Sequence, residues 1–158
     1  MERDPLVLAY MAGVIDSDGF ISVTQSCRKG RLYFGAVIGV SGTRREPHDL
    51  AASLWGGNVR RYDPPNPRHR GQFQWSRQGE AAAAAIEEVY PYLRIKQDQA
   101  VLAIECQDIV REARSDDPFP WFGPDYDPTP YLTELRRDVI GVLNQGRRMP
   151  LPMGALNG

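Results

Sequence analysis

Two carboxylates lie one residue apart near the start of the chain, in the run LAYMAGVIDSDGFISV that begins at Leu8. Asp16 and Asp18 stand where a helical pattern gives way to a glycine and a strand pattern. Acids are misplaced there, because the C-terminal end of a helix carries partial negative charge, a cost of a few tenths to about 1 kcal/mol each. A positive group must offset that cost, and its nature decides the chemistry. Asp16-Ser17-Asp18-Gly19 has the outward look of a calcium loop, but the glutamate that such a loop needs past its glycine is missing in this register. His48 and His69 have no partner at a metal spacing and read as surface histidines. Cys27 and Cys106 fit neither a zinc pattern nor a disulfide framework and read as free thiols in a reducing compartment.

The elements around the acids can be read from periodicity. Asp4 and Pro5 suit the start of a helix, with Leu6, Tyr10, Met11 and Val14 at helical spacing and Ala9, Ala12 and Gly13 among them. Ala9 and Gly13 form a pair of small residues four apart, which lets another backbone come close. Two alternating runs follow, Phe20–Ser26 and Leu32–Val40, joined by SCRKGR as a basic hairpin loop. A short helix over Pro47–Trp55 is closed by Gly56 and Gly57. A second hairpin pairs Asn58–Asp63 with Gln72–Arg77 across PPNPRHRG. The rest reads as helices over Glu80–Val89, Leu93–Ala113 and Tyr131–Leu143, interrupted by the proline-rich acidic loop SDDPFPWFGPDYDPTP. Two hairpins with one apolar face each predict an antiparallel sheet backed by helices.

The composition bounds the function. The 158 residues are 42% hydrophobic and 25% charged, ordinary for one soluble domain with a real core. No run reaches the length of a membrane span, and the charged start MERDPL does not suit a signal peptide, so a cytoplasmic, nucleoid- or genome-associated location is expected and no membrane partner. Net charge is -1, yet residues 20–79 hold ten bases against three acids, and residues 80–138 hold thirteen acids against six bases. One basic face and one acidic face follow. The polar side of the two hairpins carries Ser22, Thr24, Ser26, Tyr33, Asn58, Arg60, Tyr62, Gln72, Gln74 and Ser76. Amides suit adenine edges and arginines suit guanine edges in a major groove that strands can enter.

AGVIDSDG, Ala12 to Gly19, closely resembles the signature of the LAGLIDADG homing endonucleases. YLRIKQDQA (Tyr92 to Ala100) is similar to that family's lysine-bearing segment after the second hairpin, and VLNQGRR to its basic loop after the last helix. The resemblance spans most of residues 6–148. It implies an α+β, αββαββα fold, a saddle-shaped antiparallel sheet backed by helices, with extra C-terminal helices. It also implies one endonuclease domain over residues 1–148, with a loose tail over 149–158.

For activity, the resemblance implies a Mg²⁺-dependent (or Mn²⁺-dependent) double-strand DNA endonuclease of the intron-homing kind. Asp18 would bind the metal beside the carbonyl of Ser17, Lys96 would assist at the scissile phosphate, and Asp16 would be a helper or a structural cap. With a single motif, the chain would act as a homodimer through Ala9, Ala12 and Gly13, on a long pseudo-palindromic duplex. Arg28, Lys29, Arg31, Arg44, Arg68, Arg70, Arg147 and Arg148 would hold phosphates or loop-edge bases. Family members often carry a polar Gln or Asn near the end of the second strand, where this chain has Gly42 among Ser41, Thr43 and Arg44. That departure favours the alternative on the same scaffold, a non-catalytic nucleic-acid-binding protein such as an intron maturase, which would also bind RNA, or a regulator.

Overall fold

The structure is a computed structural model that describes residues 2–145, without the side chains of residues 142–145. Helix α1 (Pro5–Asp18) starts at Asp4, whose carboxylate accepts from the Leu6 amide at 2.9 Å. It runs directly into β1 (Gly19–Arg28) and β2 (Arg31–Gly42). Then come α2 (Glu46–Trp55), β3 (Arg60–Tyr62), β4 (Gln72–Gln78) and α3 (Glu80–Val89). A 3₁₀ turn (Tyr90–Tyr92), α4 (Gln97–Ala113) and α5 (Thr129–Gln145) complete the order. The four strands form one antiparallel sheet in the order β1-β2-β4-β3. The architecture is the expected one: α+β, with five helices and an open four-stranded sheet among the described residues.

The core lies on one side of the sheet. Ile21 and Val23 of β1, Phe34, Ala36, Ile38 and Val40 of β2, and Trp75 of β4 all point into it, where Met11, Ile15, Ile86, Leu102 and Val139 meet them from the helices. Alternation along the strands puts the other side chains on the opposite face. The strand β2 departs from simple alternation, being buried on both faces from Phe34 to Val40. It is a central strand, and its outward residues there, Gly35, Val37 and Gly39, are small enough to be covered by their neighbours.

Several boundaries differ from the sequence reading. The first hairpin has no six-residue loop. Lys29 and Gly30 alone turn the chain, both at positive φ (51° and 76°), which matches the right-handed twist of two long strands. The strand β3 is shorter than expected and leaves Asn58 outside it. The helix expected from Leu93 starts only at Gln97: Leu93 is extended (φ -67°, ψ 141°), and the Arg94 and Lys96 amides that follow are bound by Asp16.

On α1 the buried residues are Leu8, Met11, Ala12 and Ile15, while Leu6 and Tyr10 are exposed. His48 is not a surface histidine: it is 1% exposed, and its ring Nδ1 donates to the Arg44 carbonyl at 2.7 Å. Its ring lies 6.2 Å from that of Phe73, and hydrophilicity alone does not reveal this burial. Cys27 is exposed, Cys106 is buried, and both are free thiols. Burial pushes the Cys106 thiol up to about 12. None of the described helices is long and apolar enough to cross a membrane. Arg147, Arg148 and the tail over 149–158 lie outside the described residues.

Candidate functional site

The end of α1 answers the question raised by its acids. The half-buried Asp16 carboxylate reaches across to the segment between the 3₁₀ turn and α4. Its Oδ2 accepts from the Arg94 amide at 2.7 Å and its Oδ1 from the Lys96 amide at 3.0 Å. In return the Lys96 ammonium donates to the Asp16 carbonyl, one of the helix's last acceptors. The cation that the helix end requires is therefore Lys96, eighty residues away in sequence. Partial burial lowers the Lys96 pKa, against the opposing pull of Asp16 and Asp18. Asp16 thus acts as a clamp that holds the lysine-bearing segment against α1.

Asp18 differs from Asp16 in every respect that matters. It is exposed, no described residue donates a hydrogen bond to its carboxylate, and Lys96 is close enough to act on it electrostatically. Ser17 beside it turns its hydroxyl back to the carbonyls of Gly13 and Val14. Among the described residues, no group of three or more His, Cys, Asp or Glu could cage a metal ion. An exposed, unclaimed carboxylate next to a helix-terminal carbonyl still fits Mg²⁺, which takes one or two carboxylates and completes its shell with water and phosphate oxygens.

Strand register assembles the second part of the site. Residues opposite one another share a face, so Ser22, Thr24, Ser26 and Arg28 of β1 lie beside Val37, Gly35, Tyr33 and Arg31 of β2. Ser41, Gly39 and Val37 face Gln74, Ser76 and Gln78 of β4, and Gln74 and Gln72 face Arg60 and Tyr62 of β3. Nine of the ten expected reading residues, all but Asn58, thus occupy one helix-free face. Arg28, Lys29 and Arg31 stand at its outer end, and Arg68 and Arg70 are exposed in the β3–β4 loop. Arg44 is exposed in the segment after β2.

Three further residues belong to this face. Gln78 and Ser41 continue alternations visible in the sequence. Phe20 breaks the polar pattern: alternation puts it on the face of Ser22 and Thr24, and the register sets it opposite Gly39. At Gly42 an added Cβ would point inward, to 3.6 Å from the His48 ring, whereas Ser41 beside it lies on the open face.

The small residues of α1 divide. Ala9 and Gly13 are exposed along with Leu6 and Tyr10, and nothing in the chain lies within 4 Å of a Cβ placed on Gly13. Ala12 does not join them. It is fully buried in the chain's own core, because it falls one step round the helix on the stripe of Leu8, Met11 and Ile15.

No family model and no curated protein matches the sequence. Solved structures do match the fold. The homing endonuclease I-CvuI in complex with its target aligns over 97% of this chain and 92% of that chain, with a TM-score of 0.64 and 19% identity. The archaeal intron-encoded homing endonuclease I-Vdi141I, complexed with DNA, aligns over 98% and 95%, with a TM-score of 0.64 and 11% identity. The LAGLIDADG homing endonuclease I-GzeII, in complex with its DNA target, aligns over 98% of this chain and 56% of that larger one, with a TM-score of 0.61 and 10% identity. An αββαββα order, an open sheet with one polar face, and a first helix that ends on the acids of AGVIDSDG together define the architecture: the chain has the LAGLIDADG homing endonuclease fold.

Proposed function

We propose that the chain is a site-specific DNA endonuclease that works as a homodimer on a long pseudo-palindromic duplex and makes a staggered double-strand break. The observation that carries this reading is the exposed Asp18 carboxylate, held beside Lys96 at the inner end of a polar, helix-free sheet face. The fold is shared with proteins whose structures contain DNA targets.

The geometry supports a division of labour. Asp18, with the Ser17 carbonyl and the Asp18 of a second copy, would hold Mg²⁺ or Mn²⁺. Such an ion supplies an activated water and neutralises charge building up on the phosphate. Lys96 places a fixed ammonium beside that phosphate, and Asp16 keeps Lys96 there. The polar face reads base edges, while Arg28, Lys29, Arg31, Arg44, Arg68 and Arg70 hold the backbone.

The second copy has a surface to bind. Leu6 is 79% exposed on α1, and Gly13 meets no neighbour in its own chain. A glycine inside a helix costs about 0.5–1 kcal/mol relative to alanine. A second backbone packed against Gly13 would offset that cost. Leu6, Ala9, Tyr10 and Gly13 therefore form the self-association stripe.

Two outcomes follow for the cation sites. Replacing Arg68 and Arg70 with alanine should leave the preferred sequence intact and reduce the salt dependence of DNA retention, by about two in the slope of log K against log salt. Replacing Lys96 with alanine should slow single-turnover cleavage by about a hundredfold. Because burial lowers the Lys96 pKa, wild-type activity should decline on the alkaline side before an ordinary lysine would titrate. Lys96→Arg should move that alkaline limb upward, and a pH–rate profile unchanged by Lys96→Arg would remove Lys96 from the reaction.

The deciding experiment incubates the full chain with a randomised pseudo-palindromic duplex library, with and without Mg²⁺, and sequences the cut ends. Cut molecules that share one sequence and require the metal are the expected result. Retention of one sequence without any cut ends would instead establish a binding protein on this scaffold.

A further inference from the structure

Phe20 is the apolar exception on the polar face. It opens the face, two residues after Asp18, and remains 37% exposed. Its register partner is Gly39, and Ser76 follows across the next strand. A Cβ on Gly39 would stand 2.5 and 2.6 Å from two carbons of the Phe20 ring. The ring therefore lies down on the glycine, with one side seated on sheet backbone and the other open. Val37, the neighbour of Gly39 on the same face, is nearly buried and adds apolar surface. This corner offers no donor or acceptor from Phe20, Val37 or Gly39 side chains. Around it the face carries the hydroxyls of Ser22, Ser41 and Ser76, and further out amides and guanidinium groups.

An aromatic ring facing base edges in a major groove has one specific partner, the C5 methyl of thymine. The other groups there are polar, and covering one with a side chain that cannot pair with it is costly. We infer that Phe20 is a specificity-determining residue that selects thymine at the base pair nearest Asp18 in each half-site. This rests on the DNA-reading function proposed above and deepens it.

The test uses the full chain and two randomised duplex pools without metal, one synthesised with thymine and one with uracil throughout. Wild type should enrich a site with thymine at the innermost informative position of each half. The same site with uracil at those two positions should bind roughly fifteenfold more weakly, since each lost methyl costs about fourfold. Phe20→Ser should bind both versions alike, and Phe20→Leu should keep part of the difference. Thermal melting followed by circular dichroism verifies that both variants are folded, and Phe20→Leu preserves an apolar cover on Gly39. Uracil binding within about twofold of thymine, or a thymine preference that survives Phe20→Ser, overturns the inference while sequence reading stands. A wild-type protein that enriches no site overturns the DNA-reading function and this inference together.

Discussion

Replacing Asp18 with asparagine is expected to slow DNA cleavage by about a thousandfold or more, while sequence-selective retention of the same duplex persists. The change conserves volume and removes one charge. That charge is exposed and receives no hydrogen bond from any described residue, so the folded state loses almost nothing. Surface changes of this kind normally stay within about 0.5 kcal/mol. Removing a carboxylate from the negative end of α1 even favours folding slightly. The loss must therefore fall on the chemistry, where a metal-holding oxygen contributes several kcal/mol to the transition state. Single-turnover cleavage and thermal melting, measured on one preparation, separate the two effects. Cleavage within tenfold of wild type would place the reacting centre elsewhere, and a large fall in melting temperature would make Asp18 structural.

The largest stability effect is expected at Trp75. Trp75→Ala should lower unfolding free energy by about 3–5 kcal/mol, a large share of the 5–15 kcal/mol typical of a domain. The side chain is almost fully buried on the core face of β4. Its indole Nε1 donates to the Gly56 carbonyl at 2.9 Å, and its ring packs on Trp55 with centroids 5.7 Å apart. Truncation leaves a cavity, strands the carbonyl that follows α2 and loosens Trp55 at that helix's end. Because Gln74 and Ser76 flank Trp75 on the open face, the polar face loses its support as well. Urea unfolding checks this, with Trp75→Phe expected to retain much of the packing without the hydrogen bond. A change below about 1 kcal/mol for Trp75→Ala would show that β4 is held mainly by its backbone ladder.

Much of this arrangement was readable from sequence, for a reason that is local in every case. Strict alternation in SVTQS and QFQWS marks half-buried strands, so the polar partners Ser22, Thr24, Gln72 and Gln74 could be assigned to one face before any pairing was known. Asp4-Pro5 marks a helix start, Gly56 a helix stop, and the run AGVIDSDG a helix end that carries acids. These features depend on the dihedral angles of a few adjacent residues, and side-chain type reports those angles directly.

Four features required the packed chain. α1 is apolar on more than one side, so its pattern could not say whether Ala12 or Ala9 would be buried. His48 carries a polar side chain, but the chain folds around it and satisfies its Nδ1 with a carbonyl. Alternation puts Phe20 on the open face, but only the pairing with Gly39 shows its ring lying on sheet backbone there. The Asp16 clamp joins groups some eighty residues apart and binds the short extended segment that precedes α4. Periodicity describes how one segment presents its side chains. Which side is covered, and what meets the end of α1, depends on distant segments competing for the same space and the same hydrogen bonds.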